Sequence, residues 1–496
     1  MTTECCGTTS PEAAAPAQLL PLARPTTGCC STTPEPAPQN TSCCATAEPV
    51  QETSCCATGA DEEGEPAAVT TGLSLEEATK VVGPGLPLAT EPSPYLLPGW
   101  LKATEASLDN ARAWHSVADR GEQETALLPG FVFDADPIVD ADPRTYLGWQ
   151  PASGTVACCS ATTSCCDGAV DEVEALGADA FFPSLLLGSP LGYRSETAAS
   201  VADPLLVADL IDRIVPSALE SGIRSVVVPW LHEGEHSEVL SLALQAYGGH
   251  VAFHGESHYL DLQHADYDAY LAALPSRKRR RISQDRARAA ASGARVERLD
   301  REEIRPLAGR IAELINQNRQ KYGGGEDEAH IGALLGALLD DGADVRAYLA
   351  FKDDRLAAAV VAVRQGRRLF VKWAGFDYEI LGERSGLYFE LVFDRPVRDS
   401  FEEGLAVIEA GPGADEAKRL RGFRPRQVRS AILLADEALR PAAARLHAAY
   451  GEAQRQALGA GEEEVAGVVG RLRARLRGDS AYEPVLPVQP EGGCCG

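Results

Sequence analysis

The chain has 496 residues, a formal net charge of −26 and a hydrophobic content of 45%. That length accommodates two or three domains with sizeable cores, while the acidity argues against broad nucleic-acid binding. No apolar run approaches the roughly 20 residues that span a bilayer, and no basic stretch followed by an apolar core opens the chain, so a cytoplasmic location is expected.

Residues 1–70 are rich in Thr, Pro, Ala and acids and poor in large apolar side chains. Such a segment buries too little surface to offset its ordering entropy and is expected to be a disordered acidic tail. All 14 cysteines occur as adjacent pairs, beginning in this tail with Cys5-Cys6, Cys29-Cys30, Cys43-Cys44 and Cys55-Cys56. Cys158-Cys159 and Cys165-Cys166 follow in an expected insertion at 155–168, and Cys494-Cys495 closes a flexible terminus at 484–496. Thr or Ser flanks every pair but the last, which marks a repeat.

Neighbouring Cα atoms lie about 3.8 Å apart, closer than ordinary disulfides require. The pairs are therefore expected as free thiols in a reducing compartment. Two pairs together supply four thiolates, a set suited to a soft ion such as Zn or Cu(I). Cys158, Cys159, Cys165 and Cys166 form the tightest set, and Cys43, Cys44, Cys55 and Cys56 the next. Redox buffering is the plainer reading of the same residues.

Regular structure is expected from about residue 73, with a helix over 100–115. The pattern becomes clear at Phe181–Leu187, where an apolar run appears. Helices follow over 204–221 and 238–247, and strands over 223–231 and 251–262. A second region gives a strand at 294–299, a long amphipathic helix at 301–322 and a helix at 330–339. Three strands come next, at 345–351, 356–363 and 369–373, joined by turns. A helix over 387–403, a strand over 405–409, a short helix over 414–420 and a strand over 428–435 complete it. Residues 436–483 read as a helical tail.

The order of the second region, β-α-α-β-β-β-α-β-α-β, is that of GNAT acyltransferases. Three stretches sharpen the likeness: Ser385–Glu390, Gly404–Gly411 and Lys418–Pro425. They resemble the acetyltransferase domain of the Fem-type peptidoglycan-bridge and peptidogalycan biosynthesis proteins, which pair two GNAT-like domains. The resemblance implies an α/β (α+β) protein of two GNAT-like mixed-sheet domains, 71–262 and 263–435. It implies an N-acyl or aminoacyl transferase acting on a small-molecule or peptide amine, with acyl-CoA or aminoacyl-tRNA as donor.

In such domains the donor's phosphates rest on backbone N–H groups at a helix start. The equivalent stretch here nominates Gly382, Arg384, Ser385 and Gly386. Arg277 and Arg280 belong to a run of seven bases between residues 277 and 288, relieved only by Asp285. That run is a candidate for phosphates of CoA, a nucleotide sugar or a tRNA acceptor stem, or a solvated helix face. Transfer to an amine needs a base, and Glu409, Glu390 and Tyr388 are the candidates. Lys418 and Arg421 are candidates to hold an anionic group of the acceptor. His232, His236, His254 and His258 are scattered, and ordinary core or surface roles are expected for them. Two other readings stay open: a thiophilic-metal buffer or delivery scaffold on a degenerate GNAT core, and a transferase that modifies its own Cys-Cys repeats.

Overall fold

The computed structural model describes residues 67–83, 93–108, 110–121, 124–135, 141–149, 167–200, 204–232, 234–321, 328–382 and 384–460. All fourteen cysteines, and with them the expected soft-metal sites, lie outside these residues. So do almost all of the expected acidic tail and the flexible terminus.

The strands of the first half are β1 (Ala68–Leu73), β2 (Ala111–Ala113), β3 (His115–Asp119), β4 (Thr125–Leu128), β5 (Gly130–Phe133), β6 (Ser184–Leu187) and β7 (Ala198–Ala199). All of them but β6 depart from the expectation. β1 begins inside the stretch read as disordered, because its β-branched Val69 and Thr70 pair antiparallel with β3. The helix expected over 100–115 ends at Ser107, and the residues after it form β2 and β3. Strands this short carry too few residues for alternation to be read from sequence.

The chain continues through β8 (Ser225–Leu231) and β9 (His250–Asp261), then β10 (Arg295–Asp300), β11 (Asp344–Lys352), β12 (Arg355–Gln365), β13 (Arg368–Phe376), β14 (Val407–Gly411) and β15 (Arg424–Leu434). These agree closely with the expected strands. The β11–β12 turn places Asp353 and Asp354 at positive φ, 50° and 55°, the conformation of a two-residue type I′ hairpin.

Among the described residues the strands form two sheets. The smaller has the order β1-β3-β4-β7, and the larger β10-β11-β12-β13-β14-β9-β15-β8-β6-β5-β2. The larger sheet is mixed, antiparallel except where β13 meets β14 and β6 meets β8. Its centre shows an exchange. β9, the last strand before the basic helix, lies against β14, and β15, the last strand among the described residues, lies against β8. Each half therefore lends its final strand to the other half's sheet edge, and β9 pairs β15 at the crossing. One sheet thus runs through both halves.

Helices cover both faces of β11–β13. The helix Ala308–Lys321 presses Ile311, Leu314 and Ile315 onto one face. It comes so close that a Cβ added at Gly375 on β13 would stand 2.3 Å from the Leu314 carbonyl carbon. The opposite face carries Leu387, Leu391, Phe393 and Val397. The helix expected over 387–403 is interrupted there by a π-turn, Glu390–Asp394.

Candidate active site where two parallel strands part

β13 and β14 pair only at Arg368–Val407, Leu369–Ile408 and Phe370–Glu409. Beyond Phe370 and Glu409 the strands diverge. β13 bulges at that point: Val361 of β12 faces Trp373 and Ala362 faces Val371, which makes Lys372 the extra residue. Bulges re-aim a side chain, and this one turns Lys372 toward the first half. Its buried ammonium donates to the Leu191 carbonyl. It lies 3.5 Å from the ring centroid of Tyr193, with the rings of Tyr95 and Trp100 at 4.9 and 5.7 Å. Trp100 in turn stacks on Trp373 at 5.5 Å. The loop 188–197, between β6 and β7, is thus fastened to the bulge of β13.

The same loop delivers Arg194 to Glu409. The Glu409 carboxylate, on β14, accepts from Arg194 and Arg426 at 3.4 Å each and from Arg368 at closer range. Arg194 also pairs with Glu196 at 2.6 Å. Burial would push the Glu409 carboxyl up, but the three guanidiniums outweigh it and hold it below the ordinary carboxylate value.

After β14 the chain turns sharply through Gly411, Gly413 and Ala414, all at positive φ, and enters the helix Asp415–Leu420. Lys418 of that helix is buried, 3% exposed. Its Nζ donates to the carbonyls of Gly411 and Pro412, both at 2.8 Å. Burial pushes this amine down to about 7, against the opposing pull of Asp415.

Beside it, His258 of β9 stands between Asp415 and Glu256, with Nδ1 3.5 Å from one carboxylate and Nε2 3.9 Å from the other. Arg419 closes onto Glu256. Of the four scattered histidines, His258 thus joins a charged cluster, while His232 bonds the Tyr193 carbonyl at 2.8 Å and His254 packs against Trp230 at 4.5 Å.

The remaining expected residues are dispersed. Arg421 is buried and bound to Asp285 at 3.0 Å, with Asp394 at 3.6 Å, and its guanidinium lies over Phe389 and Phe393. Burial pushes the Asp394 carboxyl up to about 7, against the pull of Arg421. Arg421 ties the helix Ser276–Ala291 to the π-turn. Tyr388 packs on Phe376 and Phe393. Glu390 lies 3.5 Å from Arg398 and lines a cleft of about 490 Å³ with Arg286 and Ser283. Arg277 and Arg280 are exposed on the basic helix. In the 382–386 loop Arg384 is exposed, and the Ser385 hydroxyl accepts from the Leu387 N–H at 3.5 Å. Gly382 and Gly386 take φ of 75° and 77°, and a Cβ at Gly386 would stand 2.5 Å from the Asp285 carbonyl oxygen. Gly386 is thus required by close packing on the basic helix.

Sequence reasoning missed Lys372, Arg194, Arg368 and Arg426. Lys372 carried a signal, a single lysine inside an apolar strand; the arginines carried none, since only the fold brings them together.

The parted parallel strands, the bulge beside them and the paired halves define a protein of tandem GNAT-like fold. A family model described as FemAB-like, peptidogalycan biosynthesis/recognition, matches residues 169–466, and the chain belongs to that family. Among solved structures, FemX is similar at 11% identity and a TM-score of 0.43, covering 76% of this chain and 100% of its own. The C-terminal domain of a putative lysylphosphatidylglycerol synthetase from Agrobacterium fabrum is similar at 11% identity and a TM-score of 0.40, with 75% and 93% covered. A tandem GNAT protein from the clavulanic acid biosynthesis pathway is similar at 12% identity and a TM-score of 0.39, with 74% and 99% covered. No curated protein matches the chain. Among the described residues, no helix is long and apolar enough to cross a membrane.

Proposed function

We propose that the chain is a transferase that moves an acyl or aminoacyl group onto an amine, with the reacting carbon held where β13 and β14 part. The observation that carries this reading is that parting of strands in a chain that belongs to the FemAB-like family. The amine attacks the donor carbonyl, a C–N bond forms, and the ester or thioester bond to the donor breaks. The nitrogen must shed a proton as it attacks. Lys418 suits that task better than Glu409: its burial lowers it to about 7, whereas three guanidiniums stabilise the Glu409 carboxylate and weaken it as a base. Glu409 instead gathers Arg194, Arg368 and Arg426 into one positively biased wall, suited to an anionic group on donor or acceptor.

The identity of the donor, acyl-CoA or aminoacyl-tRNA, rests on the sequence resemblance, and the contact of Arg277 and Arg280 with its phosphates rests on the run of bases they belong to. A soft metal on the cysteine pairs rests on the sequence alone. The test is to offer the purified chain acyl-CoA and aminoacyl-tRNA donors with amine and peptide acceptors, and to follow the products by mass spectrometry. Transfer from either donor is the expected result; hydrolysis alone, or no reaction with any pair, would remove the proposal.

A further inference from the structure

We infer that Glu256, His258 and Asp415 form a binding site for a first-row divalent metal cation. Glu256 and His258 are two apart on β9, so their side chains leave one face of the strand. Asp415 comes from the start of the helix after β14, entered through Ala414 at φ 52°. One ligand atom from each of the three residues can be chosen so that all lie within 4.8 Å of one another.

His258 supplies the independent observation. It is fully buried, 0% exposed, and neither ring nitrogen has a hydrogen-bond partner among the described residues. Buried polar atoms are nearly always satisfied, so an imidazole left in this condition between two carboxylates points to something that joins them. Its gaps of 3.5 Å and 3.9 Å to Asp415 and Glu256 are too long for hydrogen bonds. A cation bound at about 2.0–2.2 Å from nitrogen and oxygen donors fits between groups so spaced.

The donor set fixes the class of ion. Two carboxylates balance a double positive charge, and one imidazole with two oxygens suits Mn, Fe or Zn better than a thiol-seeking ion. Three protein ligands leave coordination positions open, and the Asp415 side chain, 29% exposed, gives access to them. Two cations stand nearby. Lys418 is turned onto the carbonyls of Gly411 and Pro412. Arg419 shares the Glu256 carboxylate, but its side chain is 41% exposed and is able to withdraw into water. The site does not depend on the transferase reading.

The probe is Mn(II), because the fourteen cysteines would compete for Zn(II) or Cu(I). Titration of the full chain, followed by the loss of the free-ion electron paramagnetic resonance signal, should show saturable binding. Asp415→Asn and His258→Gln should each weaken it by at least about tenfold. Folding of both variants is checked by circular dichroism. Asp415 is partly exposed, so its variant carries the test if the buried histidine variant does not fold. Absence of saturable Mn(II) binding by the wild type, or equal binding by the folded variants, would overturn the inference.

Discussion

Substituting Glu409→Gln asks how much the arginine wall depends on its central carboxylate. The carboxylate faces Arg194 and Arg426 at 3.4 Å and Arg368 closer still. A contact at 3.4 Å is worth about 5 kcal/mol gross at an effective dielectric near 20, and desolvation of the ions offsets most of it. The amide keeps the shape and one acceptor but leaves three guanidiniums facing each other, with Arg194 still paired to Glu196. The side chains of Arg368 and Arg426 are each 22% exposed, so water takes up part of the loss. The expected net cost is about 2–3 kcal/mol.

The pH dependence of that cost has a definite sign. Burial raises the Glu409 carboxyl, the guanidiniums lower it by more, and the folded value lies below the ordinary 4.5. Its contribution is therefore complete above 4.5 and is lost as the pH falls through the folded value. Urea unfolding is the assay, since guanidinium salts would screen the pairs. The gap between wild type and variant should be full at neutral pH and close in acid. A variant as stable as wild type at neutral pH, or a gap that persists in acid, would refute the reasoning.

Gly375→Ala should lower the urea midpoint by the equivalent of about 2–3 kcal/mol, because its Cβ would meet the Leu314 backbone 2.3 Å away. An unchanged midpoint would mean the helix Ala308–Lys321 has room to move. Lys372→Met should cost about 1–3 kcal/mol by leaving the Leu191 carbonyl without its donor. Because Trp100 and Trp373 stack beside it, their fluorescence should shift as the loop 188–197 loosens, and an unaltered spectrum would count against that fastening.

The strands from β8 onward were legible because they are long, β-branched and bounded by turns; β11, β12 and β13 match the expected spans to within a few residues. β2 to β5 were not, since three to five residues carry no period. The site was legible only in part. Glu409 and Lys418 were both candidates, one as a base and the other to hold the acceptor's anionic group, and the fold sets them on β14 and on the helix that follows it. The partners that decide their chemistry come from afar: Arg194 is separated from Glu409 by 215 residues, and the exchange of β9 and β15 that brings His258 to Asp415 is a property of the sheet and not of any local pattern. Arg421 shows the reverse error. Its position in a motif suggested substrate, but two buried carboxylates from distant elements claim it.

Lys418 is proposed to manage the proton of an acyl or aminoacyl transfer. The measurement that meets this proposal most directly is the pH–rate profile of transfer for wild type and Lys418→Met, with the thermal transition of both recorded alongside. A neutral amine is the active form, so kcat/KM should rise with pH through about 7. In the folded variant that limb should be absent and the rate should fall by about 10²–10⁴-fold. A variant that keeps both the wild-type rate and its rising limb would contradict the account.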